Sequence, residues 1–571
     1  MNKTACPLDC YDACSIIYKD GKLKGDSKHS LTQGFLCPHL NHYDKHKRIT
    51  TPRYKGEEIS LEKAMSILTQ RLKEIPPHRT LHLRGSGNFA LMQGVSDHFF
   101  ASHGARLTKG SLCDGAGNAG IIEGRGSNRL TDISEIAKSE VVIFWGRNPH
   151  VSNSHYLPYL KDKTIIVIDP IKTKIAQQAD HFIQIKPHGD IYLALLLSRF
   201  LIIEGMEDEE YLEEFASEYL DFYELTQGIR IKATLDKIDV TLGDVGKVLE
   251  LVKDKKTVIL AGLGIQKYRN GAEVMRSIDA FGVLLGLFKK EGSGVNFLGN
   301  STDGIKSPFN QNAKRVAIGN IDFTDFDMVF IQGTNPLSQL PDTNRVEQQI
   351  SSVEEVVYFG LYENESSAIA ELVIPAKTFL EKDDIRSSYG SNDLLKMPKQ
   401  IDSDIGISEY ELSRYLCEAF DIEIDTQESY LEHFESHLLH VKGRKELPYM
   451  DGFNTDDGEF LFLDELDLDF DLDNDLFLIT CKSPKSLNSQ FNREECIYVH
   501  PSLGYIDGQR VRVISDNGSV ELDVKFDDSL RSDCVLIYSA TPGVNRLTSS
   551  KLSYDGLNAS YQENKVKVEI C

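Results

Sequence analysis

Four of the ten cysteines lie at the start of the chain: Cys6, Cys10, Cys14 and Cys37. The first three form a C-x3-C-x3-C run and the fourth stands well apart. Three thiolates this close can converge on one small object, and a fourth returning from another loop can close the coordination. Four cysteine ligands are what a cubane iron–sulfur cluster needs. Structural zinc more often takes two C-x2-4-C knuckles, so the three-and-one division suits a cluster better. Zinc remains the rival, and four unrelated buried thiols the bland alternative. A low-potential cluster carries one electron at a time, so the chemistry indicated is redox. Cys417, Cys481, Cys496, Cys534 and Cys571 are scattered and read as core or incidental.

A second set of residues is arranged for nucleotide binding. Val141 to Trp145 is an apolar run followed by Gly146-Arg147-Asn148-Pro149, and Met328 to Gln332 is followed by Gly333-Thr334-Asn335-Pro336. Each copy continues with another apolar strand, Thr164 to Asp169 or Glu355 to Gly360. An Ala-acid pair follows, Ala179-Asp180 or Ala370-Glu371, and then an apolar segment ending in Pro187 or Pro375. Alone, either G-x-N-P is a common strand-ending turn. Two copies with matched downstream order point to an internal duplication. In an open α/β sheet, ligands sit beyond the carboxyl ends of strands, where Gly admits close backbone approach and Asn or Asp can bond a nucleobase. Two such edges imply two nucleotide-like ligands, or one with two similar arms. Weaker glycine turns follow Leu81-His82-Leu83, at Gly85-Ser86-Gly87-Asn88, and follow Thr257 to Leu260, at Gly262-Leu263-Gly264. Neither is a full dinucleotide fingerprint.

The elements that must position these residues read as α/β, strand-like and helix-like segments alternating through the middle of the chain. Ser60 to Ile75 is predicted as an amphipathic helix with Met65, Leu68, Leu72 and Ile75 on one face. With 571 residues the chain holds several domains. We expect a small cluster domain over 1–50, a first α/β half over 51–235 and a second over 236–403. A helical and acidic linker over 404–475 and a barrel-like domain over 476–571 complete the expected organisation. Thr426 to Asp475 is the least regular segment; within it Leu466 to Leu472 reads as a solvated linker, or else an edge strand. Turns at Asp516-Asn517-Gly518 and Tyr554-Asp555-Gly556 suit the barrel.

Composition excludes other classes. Hydrophobic residues are 41% and charged residues 26%, an ordinary globular balance. The net charge of -24 makes nucleic acid and anionic membrane surfaces poor partners. The best apolar stretch, Ile191 to Ile203, is too short to span a bilayer. The N-terminus leaves no room for an export signal before Cys6, so a cytoplasmic location is expected, where structural disulfides are rare.

Taken in order along the chain, these motifs resemble the molybdopterin oxidoreductases of the dimethyl sulfoxide reductase and formate dehydrogenase superfamily. Cys6-Pro7-Leu8-Asp9-Cys10-Tyr11-Asp12-Ala13-Cys14 with Cys37 is similar to that family's cluster domain. Gly85 to Asn88 and Ser111 to Gly117 resemble its pterin-contacting loops. Gly146 to Pro149, Asp169-Pro170 and Gly189-Asp190 resemble a first guanine-dinucleotide site, and Gly333 to Pro336 with Asp342 a second. Glu381-Lys382-Asp383 is also typical of the family. Asn488-Ser489 and Gly543 to Thr548, which includes Asn545, resemble the barrel that closes over the pterins.

The resemblance implies one molybdenum or tungsten ion on the dithiolenes of two pyranopterin guanine dinucleotides, with one 4Fe-4S cluster. The implied ligand from the protein falls in Ser111 to Asp114; Cys113 is the candidate because a thiolate suits so soft a site. His39 stands where the family usually has a lysine bridging cluster and pterin, and its charge would respond to pH. Asp114 stands where formate dehydrogenases place His, which weakens a formate reading. The implied function is a two-electron oxidoreductase, transferring oxygen, sulfur or hydride at a small-molecule substrate. Its electron partner would be an iron–sulfur subunit, a ferredoxin or a flavoprotein. The alternatives are a non-redox hydratase-type enzyme and a non-catalytic iron–sulfur subunit.

Overall fold

The computed structural model describes residues 2–571 apart from 42, 44, 45, 87–89, 218, 300, 303, 391–393, 442–446 and 467–475. Gly87, Asn88 and nearly all of the Leu466 to Leu472 stretch therefore lie outside the described residues. The chain forms two compact units, each assembled from separate stretches: 1–110, 301–444 and 485–493 in the first, 111–300, 445–484 and 494–571 in the second.

The first unit opens with a three-stranded antiparallel sheet, Asn2–Ala5, Ser15–Lys19 and Lys22–Gly25. The C-x3-C-x3-C run is the loop joining its first two strands, closed at its base by Cys6 N–H donating to the Cys14 carbonyl at 2.9 Å. The main sheet of this unit has eight strands. Thr80–Arg84 pairs in parallel with Arg106–Lys109 on one side and with Met328–Gln332 on the other. Glu355–Gly360 and Leu372–Pro375 follow outward, also in parallel. Met328–Gln332 is buried throughout, the pattern of a central strand covered on both faces. The expected amphipathic helix is Leu61–Glu74. Ser60 caps it by accepting from Lys63 N–H at 3.1 Å, and Met65, Leu68 and Leu72 face the core beside Phe330 and Leu372. Truncating Leu68 to Ala there would cost about 2–5 kcal/mol.

The second unit carries a five-stranded, wholly parallel sheet in the order His181–Ile183, Thr164–Ile168, Val141–Trp145, Thr257–Ala261, Gly294–Asn296. Its C-terminal part closes a six-stranded barrel from Leu476–Ile479, Cys496–Val499, Arg510–Ser515, Gly518–Phe526, Cys534–Leu536 and Lys565–Ile570. Alternating inward Val511, Val513, Leu522 and Val524 fill it. The turn expected at Asp516-Asn517 is its tight hairpin, with Ser515 opposite Gly518.

The two sheets repeat one plan. In each, the strand ending in G-x-N-P is central. Its two successors lie outward on one side, and a strand ending in the weaker glycine turn lies on the other. The chain order differs: in the first unit the glycine-turn strand Thr80–Arg84 comes first, in the second Thr257–Ala261 comes last. The same spatial sheet is thus reached by a permuted chain path.

Within the helical and acidic linker expected over 404–475, the stretch from Thr426 to Asp475 begins with a helix, Gln427–Val441. Tyr430 and Phe434 on it pack against Met92, Val95 and Phe309, burial that overrides the weak periodicity of its sequence.

Candidate functional site

The four N-terminal thiols converge. Cys6 and Cys14 are buried, Cys10 and Cys37 partly so. Burial is the main cause that raises all four above the ordinary thiol range, Cys6 to about 12. Each of Cys6, Cys10 and Cys14 also feels the Cys37 thiol electrostatically, so the four share one neighbourhood. Opposing burial, backbone N–H groups point at the sulfurs: Leu8 at Cys6, Asp12 at Cys10, Leu40 and His39 at Cys37. Amides aimed at sulfur stabilise thiolates, and this donor set fits a cluster of iron and sulfide. Among the described residues, no three His, Cys, Asp or Glu side chains gather as a single-ion site. His39, in the short helix Pro38–Asn41, stacks on Phe491 at 4.9 Å.

Each edge expected to bind nucleotide is a pair of glycine turns lying side by side. Gly146 and Gly333 both need a left-handed backbone, φ 60° and 59°. Gly262 N–H donates to the Trp145 carbonyl at 2.8 Å, and Gly85 N–H to the Gln332 carbonyl at 2.9 Å. A Cβ on Gly262 would overlap the Gly146 carbonyl oxygen, and one on Gly85 would lie 2.6 Å from the Thr334 Cβ. The weaker glycine motifs are thereby matched partners of the stronger ones. By contrast, a Cβ on Gly264 would meet nothing within 4 Å.

Asn148 and Asn335 are N-caps of the short helices that Pro149 and Pro336 begin. The Asn335 amide is turned inward: it donates to Glu365 at 2.8 Å and accepts from the Ser366 hydroxyl at 2.7 Å. Asp342, at φ 54°, caps Thr343–Ile350 and pairs with Arg345 at 3.3 Å.

In the second unit two buried carboxylates stand at the sheet edge. Asp169 accepts from Ile171 N–H at 2.8 Å and Asp190 from the Trp145 indole at 2.7 Å. Burial drives Asp169 up to about 7, with the Asp190 charge adding to it, and drives Asp190 up to about 6. Carboxylates held this way suit a ligand edge rich in N–H donors, as a guanine offers. Gly189 precedes Asp190 in a turn whose His188, φ 66°, packs on Tyr268 at 4.1 Å. The Pro170 carbonyl accepts from Gln184 at 3.1 Å.

Cys113 lies one residue before the N-cap, Asp114, of the helix Gly115–Arg125. The Ser111 hydroxyl holds this turn, accepting from Cys113 N–H at 2.9 Å and donating to Asp114 at 2.8 Å. Gln266, just after the Gly262-Leu263-Gly264 turn, ties the loop to it, donating to the Cys113 carbonyl at 2.8 Å and accepting from Gly117 N–H at 2.9 Å. The Cys113 thiol is half-buried at the N-terminal end of that helix. Gln266 closes the Gly262-Leu263-Gly264-Ile265-Gln266 stretch and Trp145 the apolar run before Gly146, each read from the sequence without a role of its own. Tyr268 carried no sequence signal.

At the remaining expected positions, Asn488 (φ 49°) and Ser489 form the tip of the hairpin Ser486–Leu487/Gln490–Phe491, in the first unit. Asn488 donates to Asp9 of the cysteine loop at 2.9 Å. Asn545 accepts from Thr548 at 3.2 Å beside the barrel.

The described residues thus form two largely parallel sheets on one plan, each with paired glycine turns, and a closed barrel in the second unit. Residues 58–390 match the molybdopterin oxidoreductase family and residues 476–564 the molybdopterin dinucleotide binding domain, so the chain belongs to that family. It is an enzyme with a molybdenum or tungsten pterin cofactor. Among its relatives is the probable oxidoreductase YyaE of Bacillus subtilis (strain 168), 28% identical over 67% of this chain and 63% of its own length. A second, the probable oxidoreductase YoaE of the same organism, is 26% identical over 99% of this chain and 98% of its own length. The F420-dependent formate dehydrogenase subunit alpha of Methanocaldococcus jannaschii is 24% identical over 66% of this chain and 64% of its own length. The match thus spans just under two thirds of YyaE and of the formate dehydrogenase subunit. The solved structure of acetylene hydratase from Pelobacter acetylenicus has the same fold, TM-score 0.82 at 16% identity, covering 100% of both chains. No described helix is long and apolar enough to cross a membrane.

Proposed function

We propose that the chain exchanges two electrons with a small-molecule substrate at molybdenum or tungsten and relays them singly, through one 4Fe-4S cluster, to a separate electron-carrier protein. When bound, the metal on its pterin dithiolenes supplies the two-electron chemistry and the cluster the one-electron steps. The observation that carries this reading is the grouping of four buried or half-buried thiols with backbone amides aimed at them, in a chain that also has two matched pairs of glycine turns at sheet edges.

The chain's own residues divide the work. Cys6, Cys10, Cys14 and Cys37 hold the cluster, and Cys113 is the protein ligand to the metal. Gly146 with Gly262, and Gly333 with Gly85, let two nucleotide arms approach the backbone. Asp169 and Asp190 accept from a guanine edge, and burial of that edge excludes water. His39, stacked on Phe491, lines the cluster side of the first unit.

The test is anaerobic purification followed by metal and nucleotide analysis. About four irons, one molybdenum or tungsten and two GMP per chain are expected. Iron without nucleotide would favour a non-catalytic iron–sulfur subunit, and zinc in place of iron would refute the cluster. Substrate-dependent reduction of an artificial dye is expected; turnover that never reduces the dye would favour a hydratase.

A further inference from the structure

The short strand Asp384–Arg386 ends on a guanidinium with 0% exposure. Arg386 Nε donates to the Cys6 carbonyl at 2.9 Å. Its Nη2 donates to the Leu8 carbonyl at 3.1 Å and the Cys10 carbonyl at 3.2 Å. Two residues on, the Ser388 hydroxyl donates to the Tyr11 carbonyl at 3.2 Å. Gly390 then leaves the space that the Tyr11 ring occupies, where a Cβ would overlap it. One segment, 386–390, is laid along the C-x3-C-x3-C loop and satisfies four of its carbonyls.

The polarity of that loop explains the arrangement. Its amides turn toward sulfur, Leu8 N–H to Cys6 and Asp12 N–H to Cys10. Carbonyls of the same turns are then left facing protein, and a buried carbonyl without a donor costs free energy. A planar guanidinium carries five donors in a fixed fork and can serve three carbonyls at once; an ammonium on a flexible stem cannot hold that geometry. Burying a cation is also expensive unless negative charge lies beside it. The charges acting most strongly on Arg386 are Cys6, then Asp9, then Cys10.

We propose that Arg386 is the positioning residue of the cysteine loop, shaping it through three carbonyls and setting a buried positive charge beside the group the cysteines bind. This rests on reading Cys6, Cys10, Cys14 and Cys37 as cluster ligands. Positive charge next to a cluster favours its reduced form, so Arg386 holds the reduction potential up.

The experiment compares the full-length wild type, Arg386→Gln and Arg386→Lys, prepared anaerobically, for iron per chain and for the midpoint potential of the reduced cluster's EPR signal. Arg386→Gln, without charge or fork, should lose iron and shift the potential of what remains downward. Arg386→Lys, keeping the charge but not the fork, should lose iron while its potential stays near the wild type. Wild-type iron and potential in Arg386→Gln would overturn the proposal and leave the cluster reading standing. Should the Gln variant not fold, full iron occupancy in Arg386→Lys would overturn the loop-shaping role, and partial occupancy at wild-type potential would support it. A wild-type chain that takes up no iron would refute the cluster reading and this proposal together.

Discussion

Asp169 holds its proton to unusually high pH because burial disfavours its charge and Asp190 stands nearby. The sign of the linkage follows. A carboxyl at about 7 when folded and 3.8 when unfolded makes the folded state bind more protons between those values. Its contribution to stability is complete below the unfolded value and is lost as pH rises through about 7. Denaturant unfolding of the nucleotide-free chain and of Asp169→Asn should therefore show the difference between them moving in the variant's favour as pH rises across that window, and standing largest at pH 8. A difference that does not change with pH would show that the carboxylate is already paired. Cys113 makes the opposite kind of prediction. Its turn is held by Ser111 and Gln266 through backbone groups. Cys113→Ala should cost about 1 kcal/mol or less in unfolding free energy while abolishing substrate-dependent dye reduction. Retained turnover would remove Cys113 from the metal. At this scale the cysteine run and the glycine turns were legible because type and spacing alone limit what they can do. Arg386 was not, because a lone arginine near an acidic run reads as surface until the fold buries it.

A helix or strand inherits its position from what it packs on, and here the deciding contacts are between turns. Gly262 and Gly146 touch backbone to backbone, so Gly262→Ala must push the two strand ends apart. A loss of about 3 kcal/mol or more is expected, since a rigid carbonyl cannot give way. Gly264→Ala adds its methyl to open space and should change stability by less than about 1 kcal/mol. Chemical denaturation of both variants without nucleotide decides the matter; equal effects would mean that the turn relaxes. If Gly264 faces a ligand, its variant loses nucleotide in the GMP assay while melting normally. The strands themselves were legible: Val141–Trp145, Met328–Gln332 and Leu372–Pro375 coincide with the apolar runs that announced them. The helix Gln427–Val441 was less so, since its apolar residues serve a pocket contributed by distant segments.

The chain path is where local reading ends. Thr80–Arg84 and Met328–Gln332 are neighbours in one sheet although the whole five-stranded sheet of the second unit lies between them in sequence. Periodicity finds strands but does not pair them, and a permuted copy of the same sheet hides its symmetry from a linear scan. Charge is the property of the whole molecule that a sequence does state outright. Asp and Glu number 87 against 63 Lys and Arg, a net charge of -24. At low ionic strength that excess repels itself and penalises the compact state. Many ion pairs, such as Arg510–Asp523 and Lys247–Glu250, are exposed, and each is worth about 0–1 kcal/mol. Salt weakens both, but self-repulsion acts across the whole molecule whereas each pair acts only locally. The buried Arg125–Asp279 pair is shielded from solvent ions and should not respond. The midpoint of thermal unfolding should therefore climb by a few degrees as NaCl is raised from about 10 mM to about 150 mM, where the screening length shrinks to about 8 Å. Melting the chain across that series checks it, and a midpoint that stays level or drops would show that attraction between paired charges outweighs the repulsion of the excess.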